Sequence, residues 1–202
     1  MGSQDGEFLY KIGYLHIKGL ISDPAEMRLP PPPKERSKQI FFDLEGNIEH
    51  IQDLKNSNSI ELYNFIDYGL LVHPIKNELR NIMHEEVFST FWKNKYYFKG
   101  DSLAPEVASP EEEVQVCVAI DNINCKSTRT WIRTKLGDEV LINLEPGDAL
   151  VRMTEGTYLR KDPIEVKRKN IFNRSGGSYV HEVFFNYVRA DGYNLHLARG
   201  NG

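Results

Sequence analysis

The chain of 202 residues has two cysteines, Cys117 and Cys125. Two thiols make neither a disulfide framework nor a zinc site. Cys117 falls in an alternating apolar strand and Cys125 in the loop after it. Both are therefore expected to be free thiols of a reducing compartment, and the expected location is cytoplasmic. No apolar run approaches the roughly 18 residues that a membrane span requires, and residues 1–8 are too polar and acidic for a secretory signal. A strong positive charge is missing too: 25 Lys and Arg stand against 29 Asp and Glu, a formal charge of −4. That balance argues against nucleic acid or an anionic membrane as the partner. Internal repeats are absent. What remains is 40% hydrophobic and 27% charged, ordinary for a globular protein. The length suits one domain with a substantial core, or a domain with an N-terminal extension.

The stretch "FLYKIGYLHIKGLIS" (8–22) is rich in aromatic and β-branched residues and reads as an opening strand. "RLPPPPKERSKQ" (28–39) follows, with four prolines that impose extended, polyproline-like chain. It is a stiff connector or an arm laid over the surface, the alternative being a motif for a proline-binding partner. Residues 1–38 are taken as this strand and arm, and 39–202 as one domain. Helices are predicted over 57–70, from Ile60, Tyr63, Phe65 and Ile66, and over 73–91, where Pro74 suits the first turn. The second helix would carry His84, Glu85 and Glu86. Adjacent helical residues point in different directions, so "HEE" reads as a solvated face rather than a ligand pair.

From about residue 96 to 198 the pattern is strands: 113–120, 130–134, 139–144, 148–153, 179–190 and 194–198, separated by Gly-Asp and Pro-Gly turns. "VKRKNIFNRSGGS" (166–178) reads as an inserted loop. Short strands after a helical first part predict a mainly β, α+β domain: a sandwich or barrel buttressed by N-terminal helices over about 57–91.

Four blocks, "TFWKNKYYFKGD" (90–101), "WIRTKLGDEVLINLEPGDALV" (131–151), "RKDPI" (160–164) and "VHEVFFNYVRADG" (180–192), carry a resemblance. In order and spacing they are similar to a small prolyl-hydroxylase-like family of iron(II)/2-oxoglutarate oxygenases, frequent in phage and environmental bacteria. The resemblance implies a double-stranded β-helix, or jelly-roll. It also implies an iron site of two histidines and one carboxylate, written His-x-Asp before the strand that opens near residue 113, with a second histidine just before "DP".

The positions that the resemblance assigns to those ligands hold other residues here. Counting from "KGD", His-x-Asp falls on Glu106, Val107 and Ala108; counting back from Asp162-Pro163, the distal histidine falls on Leu159, or on Tyr158 with a one-residue slip. No metal site is expected, and no cofactor, although the family would use Fe(II) and 2-oxoglutarate. A residual pocket is assigned to Tyr97, Glu106, Lys161 and His181. Related enzymes hold the distal carboxylate of 2-oxoglutarate with an Arg or Lys; Lys161, Lys167, Arg168 and Arg189 all lie in the right region, and the sequence does not choose among them. His181 reads as a packed core histidine.

The expectation is thus a pseudoenzyme rather than an enzyme: an oxygenase fold acting by binding. It would be a partner subunit of an active paralogue, within a homo- or hetero-oligomer, or an assembly component. The alternative is an active 2-oxoglutarate-dependent hydroxylase with a non-standard site of Glu106, Tyr158 and His181.

Overall fold

The computed structural model describes residues 4–32, 36–55, 57–105, 108–126, 128–167 and 177–198. Eleven strands form two sheets among them. The larger has the order β1-β9-β6-β11-β5-β4-β2-β3 and the smaller β10-β7-β8. The strands are β1 (Tyr14–Ile17), β2 (Lys38–Phe42), β3 (Ile48–Asp53), β4 (Ile60–Tyr63), β5 (Val87–Tyr97), β6 (Val114–Ile123), β7 (Arg129–Arg133), β8 (Glu139–Asn143), β9 (Ala149–Met153), β10 (Tyr158–Lys161) and β11 (Tyr179–Arg189). Two helices, α1 (Gln4–Ile12) and α2 (Val72–Met83), complete the mainly β architecture predicted from the sequence.

The two sheets face each other across one apolar cluster that includes Tyr97, Cys117, Ile132, Leu150, Leu159 and Phe184. A bridge between Leu103 and Lys161 brings the chain after β5 alongside β10. The opposite face of the large sheet is covered by α2, whose Val72, Ile75, Leu79, Ile82 and Met83 pack on Val116, Val118, Val183 and Phe185. Strands β6 and β11 are thus buried on both faces; apolar residues dominate them, as burial on two sides demands, and the exceptions include the buried polar groups Gln115, His181, Glu182 and Asn186.

Several predicted elements form differently. Residues 4–12 are a helix, and only Tyr14–Ile17 of the expected opening strand pairs. Asp5 and Glu7 in the first turn and Lys11 in the last suit the helix dipole. Gly13, at φ +98°, ends the helix where a Cβ would lie 2.4 Å from Thr157 Cγ2. The helix expected over 57–70 is instead β4 and a 3-10 turn, Ile66–Leu71. Docking beside β2 and β5 outweighs local propensity there: Ile60 and Leu62 go to one face, Glu61 and Tyr63 to the other.

The helix expected over 73–91 stops at Met83. His84 caps it in the left-handed conformation (φ 54°), and the β-branched and aromatic run from Val87 joins the sheet as β5. Glu85 and Glu86 therefore follow the helix instead of riding on it; Glu85 accepts a hydrogen bond from Tyr10 Oη and Glu86 pairs with Arg80. The β structure begins well before residue 96, with β2 and β3 a hairpin at the sheet's margin. His50 sits on β3. Residues 194–198, expected as a strand, hold the 3-10 turn Leu195–Leu197.

The proline arm is laid on the body. Tyr68 Oη donates to Met27 O at 2.6 Å, Tyr96 Oη donates to Leu29 O at 3.2 Å, and Arg28 Nε lies 3.1 Å from Asp121 Oδ2. Pro33 of the proline run and most of the loop at 166–178 lie outside the described residues. Among the described residues no helix is long and apolar enough to cross a membrane.

Candidate functional site

Strand alternation places a set of charged side chains between the sheets. On β5, Lys93, Lys95 and Tyr97 share the face of Glu182, Phe184 and Asn186 on β11, of Gln115 and Cys117 on β6, and of Arg152 on β9. From the small sheet, Leu159 and Lys161 of β10 meet Thr130 and Ile132 of β7.

The centre of this set is an ion pair. Lys161 Nζ lies 2.6 Å from Glu182 Oε1 and donates to Thr130 Oγ1 at 2.7 Å. Both charged side chains are wholly excluded from solvent. Two ammonium groups lie over the Tyr97 ring, Lys161 Nζ at 5.8 Å and Lys95 Nζ at 5.1 Å from its centroid. Lys95 pairs in turn with Glu61 at 2.6 Å. Burial pushes the Glu61 carboxyl up, but Lys93 and Lys95 more than reverse this and bring it down to about 2. The Cys117 thiol lies against the Glu182 carboxyl; burial first and that carboxyl next push it well above the ordinary thiol range. Cys117 is thus held as an inert thiol. Toward the mouth, Arg152 Nε donates to Gln115 Oε1 at 2.9 Å, and Gln115 Nε2 donates to Asn186 Oδ1 at 2.9 Å.

A small cavity of about 30 Å³ opens here, lined among others by Lys93, Lys95, Arg152, Glu112, Ala108 and Leu159. That is room for about one water. Ala108 also borders a larger cleft of about 550 Å³ at the surface, whose wall includes Tyr10, Lys135, Tyr158 and Arg189.

The residues singled out in the sequence are distributed unevenly over this geometry. Tyr97 and Lys161 come together inside. Ala108 and Leu159 meet at the cavity, Leu159 facing in (3% exposed) and its neighbour Tyr158 facing out (42% exposed). Glu106 lies outside the described residues. His181 is one residue from Glu182 on β11 but projects from the other face, stacked on the Tyr96 ring at 4.1 Å, so the structure does not bring it to Tyr97 and Lys161. Of the four basic residues considered for the carboxylate, Lys161 is interior. Arg189 sits at the far end of β11 among Glu85, Glu113 and Asp191, the Lys167 backbone bonds Asn124, and Arg168 is outside the described residues. Sequence reasoning missed Lys93, Lys95, Thr130, Arg152 and Glu182. The signal was there in "KNKYY": read as a strand, its alternation aligns both lysines with Tyr97.

No family model matches the chain, and no curated protein matches it. Solved structures do. An oxidoreductase of the 2OG-Fe(II) oxygenase family from Burkholderia pseudomallei superposes with a TM-score of 0.60 at 11% identity, covering 96% of this chain and 95% of its own. A prolyl-4-hydroxylase from Pseudomonas putida gives 0.56 at 10% identity, covering 91% and 96%. The epimerase SnoN from nogalamycin biosynthesis, in complex with Fe3+, α-ketoglutarate and nogalamycin RO, gives 0.59 at 9%, covering 91% and 81%. The chain has the double-stranded β-helix fold of the 2-oxoglutarate/iron(II) oxygenases, prolyl hydroxylases among them.

These neighbours correct the expectation that no cofactor is involved. Enzymes of this fold are iron(II)- and 2-oxoglutarate-dependent, and one was solved with both the metal and the oxo acid. Iron and 2-oxoglutarate are therefore the groups against which the site must be tested. Among the described residues no group of three or more His, Cys, Asp or Glu could hold a metal ion. Ala108 and Leu159 bring no donor atom, and the cations around them would oppose a divalent ion. The described lining thus does not fit iron. Its lysines and arginine are groups of the kind that bind carboxylates by charge-assisted hydrogen bonds, while the cavity as it stands has room for about one water.

Proposed function

We propose that the protein is a catalytically degenerate form of the 2-oxoglutarate oxygenase fold that acts by binding, and that its barrel takes a small carboxylate such as 2-oxoglutarate. The observation that carries this is the sign of the interior charge. Lys93, Lys95 and Arg152 outnumber the one carboxylate, Glu112, on a cavity to which Ala108 and Leu159 contribute only hydrocarbon. The α-ketoglutarate held by SnoN, a protein of the same fold, supports the choice of acid. A barrel that keeps cationic groups for the acid, and among whose described residues no set of three metal donors gathers, can hold the first and respond to it without oxygen chemistry.

The reading includes a protein partner, either an active paralogue or a second copy. Strand β3 supports it: it ends the large sheet, all six of its residues are exposed, and its outer edge is unpaired in the described sheet. Such an edge can accept a further strand.

The test is anaerobic titration of the purified protein with Fe(II) and 2-oxoglutarate, with calorimetry alongside. The expected result is 2-oxoglutarate binding whose affinity is the same with and without Fe(II), and no visible charge-transfer band. A band that saturates at micromolar iron would overturn the reading and establish an iron site completed by residues other than those described.

A further inference from the structure

We propose that Lys161 and Thr130 form a carboxylate-binding site at the core of the barrel, and that the protein fills this site itself with Glu182. The inference rests on the carboxylate reading above and assigns it a place. The carboxyl of Glu182 meets one ammonium, Lys161 Nζ at 2.6 Å, which the Thr130 hydroxyl orients by accepting from it at 2.7 Å, with the Tyr97 ring beside the ammonium. The only difference from a captured ligand is that this carboxyl is tethered to β11.

Two observations mark the pair as a site and not merely a structural ion pair. First, Glu182 is 0% exposed, yet its Oε2 meets no nitrogen or oxygen donor among the described residues, and the group beside the carboxyl is the weakly donating Cys117 thiol. A buried ion pair stabilises a fold only when its remaining lone pairs are also satisfied, and here one carboxylate oxygen is left without a strong donor. Second, the pair is next to the cavity: Leu159 and Tyr97, which line it, flank Lys161 along β10 and through the ring contact. Withdrawal of Glu182 would join its space to that cavity, beside Lys95, its cross-strand neighbour. The enlarged chamber would present Lys161 and Thr130 to one carboxylate, with Lys93 and Arg152 nearer the mouth for a second. A dicarboxylate is the class of ligand that fits.

Glu182 then acts as an intramolecular competitor. Being tethered, it is present at high effective concentration. An external acid sees only the fraction of molecules in which the site is vacated, so its apparent affinity falls by that fraction.

The experiment compares 2-oxoglutarate binding by calorimetry in the full chain and in E182A, E182Q and K161M/E182A, all with a chelator present so that iron plays no part. E182A is expected to bind at least about tenfold tighter than wild type, E182Q to gain less because the amide still fills the space, and K161M/E182A to lose the gain. Should E182A fail to fold alone, acetate or 2-oxoglutarate is expected to restore its melting transition where chloride does not. Equal or weaker binding by folded E182A and E182Q would overturn the proposal, as would a gain that survives K161M or a misfolded E182A that no carboxylate rescues. Wild-type binding with no gain in the variants removes the role of Glu182 and leaves the wider reading standing; an iron-dependent band in the separate, chelator-free anaerobic titration removes that reading instead.

Discussion

His181 and Glu182 are consecutive residues of β11, both fully buried, each with one polar atom lacking a hydrogen-bond partner among the described residues: Nδ1 of the imidazole and Oε2 of the carboxyl. Their surroundings are opposite. His181 faces the helical side, stacked on Tyr96 and edge-on to Tyr68, with only Asn94 Oδ1 at 3.4 Å from Nε2. Burial holds it far down, to about 3, so it is a neutral ring in an aromatic slot. Glu182 faces the barrel and a lysine. One face of the strand handles a polar group by keeping it uncharged, the other by supplying a counter-ion. Packing of the first kind needs no ligand, whereas the second leaves a charged chamber that an external acid can share.

The largest effect expected from breaking this comparison is at Lys161. K161M leaves Glu182 buried without its counter-ion and should destabilise the protein by about 3–5 kcal/mol, whereas K161M/E182L, apolar on both sides, should recover most of that loss. Urea midpoints of the two variants decide it. If K161M costs as little as a surface substitution, the pair is not desolvated as described.

His181 gives the next effect, through pH. Its folded value, about 3, lies below the ordinary imidazole value, so between the two the unfolded chain binds a proton that the folded chain refuses. Stability is therefore intact above the ordinary histidine range and falls with acidification, by up to about 1.4 kcal/mol per pH unit. Protonation in place would bury an N–H with no acceptor at Nδ1. H181F should flatten the dependence of the urea midpoint between pH 6.5 and 4.5. Below that range Glu61, held at about 2 by Lys93 and Lys95, adds a loss of its own as its carboxylate is protonated, and H181F would not remove that part. An unchanged pH profile in H181F would show that another group carries the titration.

How much of this was legible in the sequence differs between the same two faces. "VQVCVAI" and "VHEVFFNYV" are strands under any reading, because residues buried on both sides leave no other periodicity. The resemblance carried by the second of them, with the blocks at 90–101, 131–151 and 160–164, pointed to the right fold. The alternation in "VHEV" separates His181 from Glu182, but no local rule says which face is the barrel, and the histidine drew attention that belonged to the glutamate. Residues 57–70 misled for a different reason. Ile60, Tyr63, Phe65 and Ile66 satisfy a helical spacing, while Ile60 and Leu62 also satisfy a strand's; the decision is made by β5 on one side and β2 on the other, contacts that are distant in the chain. That error, with the overextended α2, hid "KNKYY" as a strand and with it two of the cations that define the site.

The smallest effect tests the closed side of β11. Tyr96 and Tyr68 both touch the His181 ring, and both donate to the arm, to Leu29 O and Met27 O. Replacing either by Phe keeps the ring packing and removes one hydrogen bond, worth about 1 kcal/mol. Because the arm's remaining hold is the Arg28–Asp121 pair and the packing of Met27 and Leu29, the loss should appear locally. Amide exchange over residues 25–32 is expected to quicken in Y68F and more in Y68F/Y96F, with little change in the exchange of β6 and β11. The same variants should leave 2-oxoglutarate binding unaltered, since the arm and the barrel interior lie on opposite faces of the sheet. If loosening the arm changes ligand affinity, the two faces are coupled through β11, and the separation drawn between His181 and Glu182 fails.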